Sequence, residues 1–106
     1  MTLTTANDIP GYRVARVLGL VQGSSVRARH IGHDLTAALK NITGGEITEY
    51  TKLLAEAREQ SLDRMREQAA VMGANAIVGV RFMTSGLMQG ASELFVYGTA
   101  VVAEPE

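Results

Sequence analysis

The sequence predicts an α+β subunit in which one long helix packs on a small twisted sheet, in the order β-α-β-β. Three observations lead to this fold class. Apolar residues follow three- and four-residue steps from Glu46 to Met72, the period of one helix face. Segments rich in β-branched and apolar residues lie on either side, at 12–26, 75–84 and 91–103. Glycines stand at both ends of the helical stretch, where helices are commonly interrupted.

The composition is that of one folded domain. A chain of 106 residues can bury a modest core but is too short for two domains. No apolar run reaches the roughly 20 residues that span a bilayer, and the first ten residues lack the layout of a signal peptide. We therefore expect a cytoplasmic protein with no membrane partner. The absence of cysteine excludes disulfides, thiolate metal sites and cysteine nucleophiles.

The net charge of −1 is unevenly distributed. Residues 1–40 carry five basic and two acidic side chains, a net charge of +3, and the remainder carries five basic and nine acidic ones, a net charge of −4. The basic region over 13–33 has four arginines and little aromatic company, which argues against a nucleic-acid surface. Solvated strand edges or ion pairs between subunits are the expected role of these arginines.

The first eleven residues are polar and without period, and they end in a Pro-Gly pair. We predict a flexible N-terminal arm over 1–11, from which Ile9 can dock on the rest of the chain. A single domain is expected over 12–103, followed by a short tail over 104–106.

The first strand, at 12–26, has apolar residues on both of its alternate faces, so both faces should be covered. Within it, Gly19 and Gly23 indicate a bend, a bulge or a close backbone approach. Beyond the strand, Asp34 can cap a short helix over 35–40.

The long helix is expected to begin with the acidic residues Glu46 and Glu49, which complement the helix dipole. Gly73 is expected to end it in a left-handed conformation. About 27 residues would give a helix roughly 40 Å long. Its apolar stripe consists of Ile47, Tyr50, Leu54, Ala57, Ser61, Met65, Gln68 or Ala69, and Met72.

The last two strands are separated by a predicted turn region over 85–90 and should form an antiparallel hairpin. The strands before and after the long helix, if adjacent, would be parallel and joined by a right-handed crossover.

The surface of this sheet predicts self-association. One helix can cover only one face of three strands, yet all three strands place apolar residues on both faces. The second face would leave several hundred Å² of apolar surface in water, on the order of the largest patch that a monomer usually exposes or above it. Exposed strand edges add to the problem. A ring in which neighbouring chains pack sheets together or join them edge to edge would solve both.

Four stretches of the sequence carry a family resemblance. They are GLVQGSSV at 19–26, GGEITEYTKL at 44–53, AREQSLDRM at 57–65 and GANAIVGVR at 73–81. In combination they resemble the YbjQ-like family of small bacterial and archaeal proteins of uncharacterised function, some of which carry a heavy-metal-binding label. The resemblance covers about 12–102. It implies a dodecin-like β-α-β-β subunit that assembles as a homopentameric ring, and it supplies no proven activity.

One set of side chains is a candidate metal site. His30 and His33 are three residues apart, which places both imidazoles on one side if the local turn is helical, and Asp34 follows them. Zinc, nickel and copper accept nitrogen ligands, so a divalent transition metal is the candidate cofactor. A closed site needs three or four ligands, so a second subunit would have to contribute. The simpler interpretation is that the histidines cap or lie on an interface loop.

A second set of residues is a candidate interface or pocket. It consists of Arg27, Arg29, Glu46, Glu49, Tyr50 and Arg58. Such groups can form an acid/base cluster, but they more often form ion pairs between subunits, so we assign no catalytic residue. The glycine-containing stretch at 19–25 lacks the lysine and the helix start of a phosphate-binding loop.

Together these features predict a homo-oligomeric, non-enzymatic binding or scaffold module, with five subunits if the resemblance extends to assembly. The first alternative is a metal-binding protein that uses His30 and His33 at subunit boundaries. The second is an enzyme with a pocket between subunits.

Overall fold

A computed structural model describes residues 1–28, 44–88 and 91–106, with the side chains of 27–28, 44–51, 87–88 and 91 left out. These described residues form one helix on a mixed four-stranded sheet, which confirms the α+β class. The elements are β1 (Thr2–Leu3), β2 (Tyr12–Ala28), α1 (Gly44–Val71), β3 (Ala76–Met88) and β4 (Ala91–Pro105).

The strand order of the sheet is β1-β3-β4-β2. Strand β4 is antiparallel to both β2 and β3, so these two strands are parallel to each other but are not neighbours. The predicted hairpin of β3 and β4 is therefore confirmed, and the crossover through α1 spans one intervening strand. Strands β2 and β4 pair along nearly their whole length, from Tyr12 opposite Pro105 to Ala28 opposite Ala91.

The helix begins two residues before the predicted start and ends one residue before the predicted end. Its C-terminus has the hydrogen bonds of a Schellman motif: Gly73 N–H donates to the Ala70 carbonyl at 3.0 Å, and Ala74 N–H donates to the Ala69 carbonyl at 3.1 Å. Gly73 has φ of 89°, a value that glycine adopts without steric cost. The prediction that Gly73 ends the helix is confirmed.

Strand β3 is longer than the sequence indicates. The predicted turn over 85–90 is wrong at its beginning, because β3 runs to Met88, where it lies opposite Ala91 at the start of β4. Ser85 and Gly86 have low strand propensity, but both pair with β4. Cross-strand pairing determines strand formation more strongly than local propensity does. The predicted short helix over 35–40 lies outside the described residues.

The N-terminal segment contributes to the sheet. Thr2 and Leu3 pair in parallel with the start of β3, and Thr4 N–H donates to the Ile77 carbonyl at 3.0 Å. Ile9 packs against a second group of buried residues on the face of the sheet away from α1, as its predicted docking requires. These residues therefore add a short edge strand to the β-α-β-β order, while the flexibility of the arm stays a prediction.

The main core lies between α1 and the sheet. Its buried members are Val21, Met65, Ala69, Ile77, Val80, Val96 and Ala100. The centre of the predicted helical stripe is confirmed, because Ala57, Ser61, Met65 and Ala69 are all buried. The ends of the stripe are not: Leu54 and Met72 are exposed, because α1 runs mainly along the outer strand β2 and leaves its flanks open.

The two glycines of β2 have the roles that the sequence predicts: Gly23 allows a close backbone approach, and Gly19 lies at a bulge. A Cβ at Gly23 would lie 2.1 Å from the Ser61 carbonyl oxygen and 2.7 Å from the Met65 nitrogen, so the helix backbone rests directly on the strand there. Gly19 has φ of 140° and follows a register shift in β2 that begins at Val17. The first is a close backbone approach and the second is a bulge.

Candidate functional site

The two faces of the sheet can be assigned from strand register and helix contacts. Directly opposed residues on antiparallel strands share a face, and Leu20 and Val78 both lie opposite Thr99. The alternate residues Gly23 and Ser25 of β2 contact α1 instead. We call the face opposite α1 the far face. Its large apolar and aromatic members are Val14, Val17, Leu20, Val26, Val78, Met83, Phe95, Tyr97 and Val101, and its polar members include Gln22, Ser24, Arg81, Ser85, Glu93 and Thr99.

The far face exposes several large apolar side chains to solvent. The exposed fraction is 68% for Val17, 69% for Leu20, 52% for Val26 and 53% for Met83. These are side chains that folding normally removes from water, at about 25 cal/mol per Å². Their exposure on one face makes this surface a candidate interaction site rather than a scatter of single surface residues.

One end of the far face is covered by the chain itself. Ile9 packs there against the buried residues Ala76, Val78, Val101 and Ala103. Farther along, Phe95 and Tyr97 lie side by side with ring centroids 5.7 Å apart. The open part of the face therefore starts where the cover by Ile9 ends, and it runs past these two aromatic rings.

The covered face contains a buried pair of hydroxyl groups with no open position for a ligand. The Ser25 and Ser61 hydroxyl oxygens lie 2.9 Å apart, and each is also within hydrogen-bond range of the Ala57 carbonyl, at 2.8 and 2.9 Å. The Ser61 hydroxyl additionally reaches the Leu94 carbonyl at 3.0 Å. Both serines are at least 99% buried, and all of these partners are hydroxyl or backbone groups. The pair therefore joins helix to sheet and has no base that would activate a nucleophile.

Two helix side chains bind the outer edge of β2, a role that the sequence analysis did not assign. Gln68 Oε1 accepts a hydrogen bond from the Gln22 backbone N–H at 2.7 Å, and the Arg64 guanidinium donates to the Ser24 carbonyl. The sequence signal for this role is that Arg64 and Gln68 are four residues apart and flank Met65 of the apolar stripe. A strand glycine lies opposite them and lets the helix approach.

The candidate metal set cannot be placed, because His30, His33 and Asp34 lie outside the described residues, as does Arg29. Within the ranges 1–28, 44–88 and 91–106, no three His, Cys, Asp or Glu side chains come together. Soft heavy metals prefer thiolate ligands, and the chain has no cysteine. The donor set of the described residues therefore does not fit a heavy-metal site.

The candidate interface set is only partly visible. Arg58 is exposed on α1. Arg27 belongs to β2, and Glu46, Glu49 and Tyr50 belong to the first turns of α1, but their side chains lie outside the described part of the structure. The described atoms thus do not bring this set together into a pocket.

No helix in the described part of the chain is long and apolar enough to cross a membrane.

Comparison with known proteins identifies relatives along the whole chain. The YbjQ family model, described as "Putative heavy-metal-binding", matches residues 1–104. A UPF0145 protein of Hahella chejuensis is 58% identical over 104 residues, which is 98% of this chain and all of that protein. A UPF0145 protein of Thermus thermophilus is 54% identical over 103 residues, covering 97% of this chain and 90% of that one.

A solved structure supports the fold. A protein of unknown function from Pediococcus pentosaceus, assigned to the DUF74 family, superimposes with a TM-score of 0.59. The match covers 98% of each chain at 16% sequence identity, so it bears on the fold alone. The resemblance seen in the four sequence stretches is confirmed by the family match and by relatives at 50–58% identity. This chain belongs to the YbjQ (UPF0145) family.

Proposed function

We propose that the chain is the subunit of a homo-oligomeric, non-enzymatic binding or scaffold module. The observation that carries this proposal is the far face, where Val17, Leu20, Val26 and Met83 each expose more than half of their surface. A second copy of the same chain is the occupant that needs no further partner, since most soluble oligomers are built from identical subunits.

The shape of the subunit points in the same direction. Its radius of gyration is 17.3 Å, whereas a compact domain of this length would have about 13 Å. The principal extents of 55 × 23 × 17 Å describe a long slab that is one helix and one sheet thick. In such a slab α1 covers one face of the sheet only, and packing against another copy would bury the second face.

The resemblance to the YbjQ-like family supplies an assembly size of five, in a ring. Covering the far face with another copy of the chain does not depend on that number. Native mass spectrometry and sedimentation velocity test both, because the subunit has a mass of 11.3 kDa and a pentamer would have about five times that mass. A particle that stays at the subunit mass over the full concentration range would overturn the proposal.

Charge placed on the far face gives a sharper test. Changing both Val17 and Leu20 to lysine should weaken assembly by about two orders of magnitude or more, since an unpaired buried charge costs several kcal/mol. The matched control is Val71→Lys, because Val71 is 89% exposed at the end of α1 and away from the far face. Equal loss of assembly in the double variant and in the control would show that the far face is not the contact.

The metal alternative stays a prediction on His30 and His33, with a divalent transition metal as ligand. Titration of the wild type and of the His30→Ala, His33→Ala double variant with zinc, nickel and copper tests it by calorimetry. Heat of binding that disappears in the double variant would support a site at these residues. Identical titrations of the wild type and the double variant, or no binding by the wild type, would contradict a metal site at these residues.

The enzyme alternative draws no support from the described atoms. Arg58 is exposed, and the buried polar side chains, Ser25 and Ser61, use their hydroxyls to join α1 to the sheet. Mass spectrometry of small molecules that copurify with the natively isolated oligomer would provide the substrate or ligand class that this alternative needs.

A further inference from the structure

The two outer edges of the sheet differ in how their backbone groups are satisfied. With the strand order β1-β3-β4-β2, one edge is β2 and the other is β3, beyond the short stretch that β1 covers. Unpaired edge groups are a template for pairing with another chain. The difference between the edges therefore decides where a neighbouring copy can add a strand.

The β2 edge is closed in its middle by α1. Gln22 N–H faces away from β4, because Gln68 Oε1 accepts its hydrogen bond at 2.7 Å, and the Ser24 carbonyl is bound by the Arg64 guanidinium. Between them, Gly23 lies against the helix backbone and holds it at this distance. A strand that approached β2 would have to displace both side chains and lose both hydrogen bonds.

The β3 edge is open past the N-terminal segment. Val80 N–H donates outward to the Thr4 carbonyl at 3.0 Å, which is the last backbone hydrogen bond between that segment and β3. Beyond it, the Arg81 guanidinium donates to the Thr5 carbonyl at 2.8 Å. In an antiparallel strand the outward-facing residues alternate, so Phe82, Thr84 and Gly86 also direct their N–H and C=O groups outward. All residues from 81 to 86 are exposed, and no described strand pairs with this side of them.

The open segment is complementary to itself. If two copies meet in antiparallel register about Thr84, each of the three outward residues faces another: Thr84 faces Thr84, and Phe82 faces Gly86 on both sides. That register gives about six N–H···O bonds. It also pairs Thr with Thr and covers each edge glycine with an aromatic ring, both of which are favourable cross-strand arrangements. The segment 82–86 carries no charge that would be opposed.

We propose that a second copy of this chain adds to the sheet at Phe82–Gly86 of β3, by antiparallel pairing with the same segment, while Arg64 and Gln68 keep β2 closed. This two-fold joint rests on the proposed self-association but is separate from the far-face contact. A joint of this kind links subunits or rings in pairs, whereas the closed β2 edge prevents open-ended extension of the sheet.

Single cysteines test the joint, because the natural chain has none. In the proposed register the two Thr84 Cα atoms lie about 5.5 Å apart, within the span of a disulfide. Thr84→Cys should form a covalent dimer under mild oxidation about tenfold faster than Ser24→Cys, the matched position at the β2 edge. Equal rates for the two variants, or no dimer from Thr84→Cys, would overturn the joint.

Proline gives an independent readout without a crosslink. Thr84→Pro removes an N–H that faces outward, so the sheet of the subunit keeps its own ladder bonds. We expect this variant to lose half of the native assembly mass in sedimentation velocity, and we expect Ser24→Pro to keep it. Circular dichroism establishes that both variants fold.

The outcomes separate this inference from the proposed function. An assembly whose mass is unaffected by Thr84→Pro, with no Thr84→Cys dimer, leaves the oligomer standing and removes the joint. A wild-type chain that is monomeric at all concentrations removes both. Changing both Arg64 and Gln68 to alanine would open the second edge, so we expect this double variant to form large aggregates. If the double variant assembles as the wild type does, these two side chains do not close the β2 edge.

Discussion

The two faces of the sheet both carry apolar side chains but differ in whether those side chains are buried. Under α1 the strands bury apolar side chains such as Val21, Ile77 and Val96, and at Gly23 the helix backbone lies directly on β2. On the far face the same strand presents Val17 and Leu20, both about two-thirds exposed. One face packs closely against α1, whereas the other exposes large apolar side chains beyond the part that Ile9 covers.

This difference separates substitutions that destabilise the subunit from substitutions that weaken its association. Close packing tolerates almost no added volume, so substitutions under α1 should act on folding. Substitutions on the far face should leave folding nearly unchanged and act on association. Each prediction below tests this division, and unfolding should be measured at a fixed protein concentration because oligomers gain stability with concentration.

The largest effect is expected for Gly23→Ala. The new methyl group would lie 2.1 Å from the Ser61 carbonyl oxygen and 2.7 Å from the Met65 nitrogen, and backbone atoms of a helix cannot rotate away. The free energy of unfolding should fall by about 4 kcal/mol, at or above the upper end of overpacking effects. Urea denaturation followed by circular dichroism measures it.

The control for this variant is Gly86→Ala, because no atom lies within 4 Å of a Cβ at Gly86. It should change the unfolding free energy by less than about 0.5 kcal/mol. Similar losses in the two variants would mean that α1 does not rest on β2 at Gly23.

A pair of methionines compares the two faces directly. Met65, on the side of α1 that packs on the sheet, has no exposed surface, whereas Met83 is 53% exposed on the far face. Met65→Ala should lower the unfolding free energy by about 3 kcal/mol, and Met83→Ala by less than about 0.5 kcal/mol at the lower protein concentration, where fewer subunits are assembled. Denaturation of both variants at two protein concentrations is the measurement. A loss for Met83→Ala that grows with concentration would show that another copy covers the far face.

Much of this division could be predicted from local patterns. The three- and four-residue period of α1 and the glycine after it predicted the helix to within two residues at either end, since both signals act within a few residues of where they stand. The alternation of apolar residues in the strands also predicted a second apolar face.

The features that the sequence left open or did not indicate depend on contacts distant in sequence. Strand β4 lies between β2 and β3, and β3 continues through Gly86 because β4 pairs with it. No local preference of Ser85 or Gly86 indicates this. The pairing of Thr2 and Leu3 with β3 was missed for the same reason, since a polar segment gains strand structure only from its neighbour.

The sequence predicted the apolar surface of the candidate site but not the contacts of its polar residues. Apolar alternation gave the far face, whereas the spacing of His30 and His33 gave a metal set that lies outside the described residues and stays a prediction. The edge contacts of Arg64 and Gln68 require knowing that α1 lies along β2, which the helix period does not specify.

A smaller effect is expected for Ser61→Ala, which removes a buried hydroxyl that bonds to Ser25 and to the Ala57 and Leu94 carbonyls. The unfolding free energy should fall by about 1–2 kcal/mol, because buried partners lose a hydrogen bond that water cannot replace. Ser24→Ala is the control, since the contact of Ser24 with Arg64 uses its carbonyl rather than its side chain. Equal small losses in Ser61→Ala and Ser24→Ala would mean that the hydrogen bonds of the serine pair do not contribute to stability.

The smallest effect is expected for Glu104→Gln, which breaks the ion pair with Arg13 between β4 and β2. Both side chains are about half exposed, at 48% and 61%, so water and salt screen the attraction. The unfolding free energy should fall by less than about 0.5 kcal/mol at low salt and should not change at about 1 M salt. Denaturation at both ionic strengths measures this. A loss as large as that of Ser61→Ala, persisting in salt, would mean that charge as well as close packing holds β2 to β4, and the contrast between the two faces would then be incomplete.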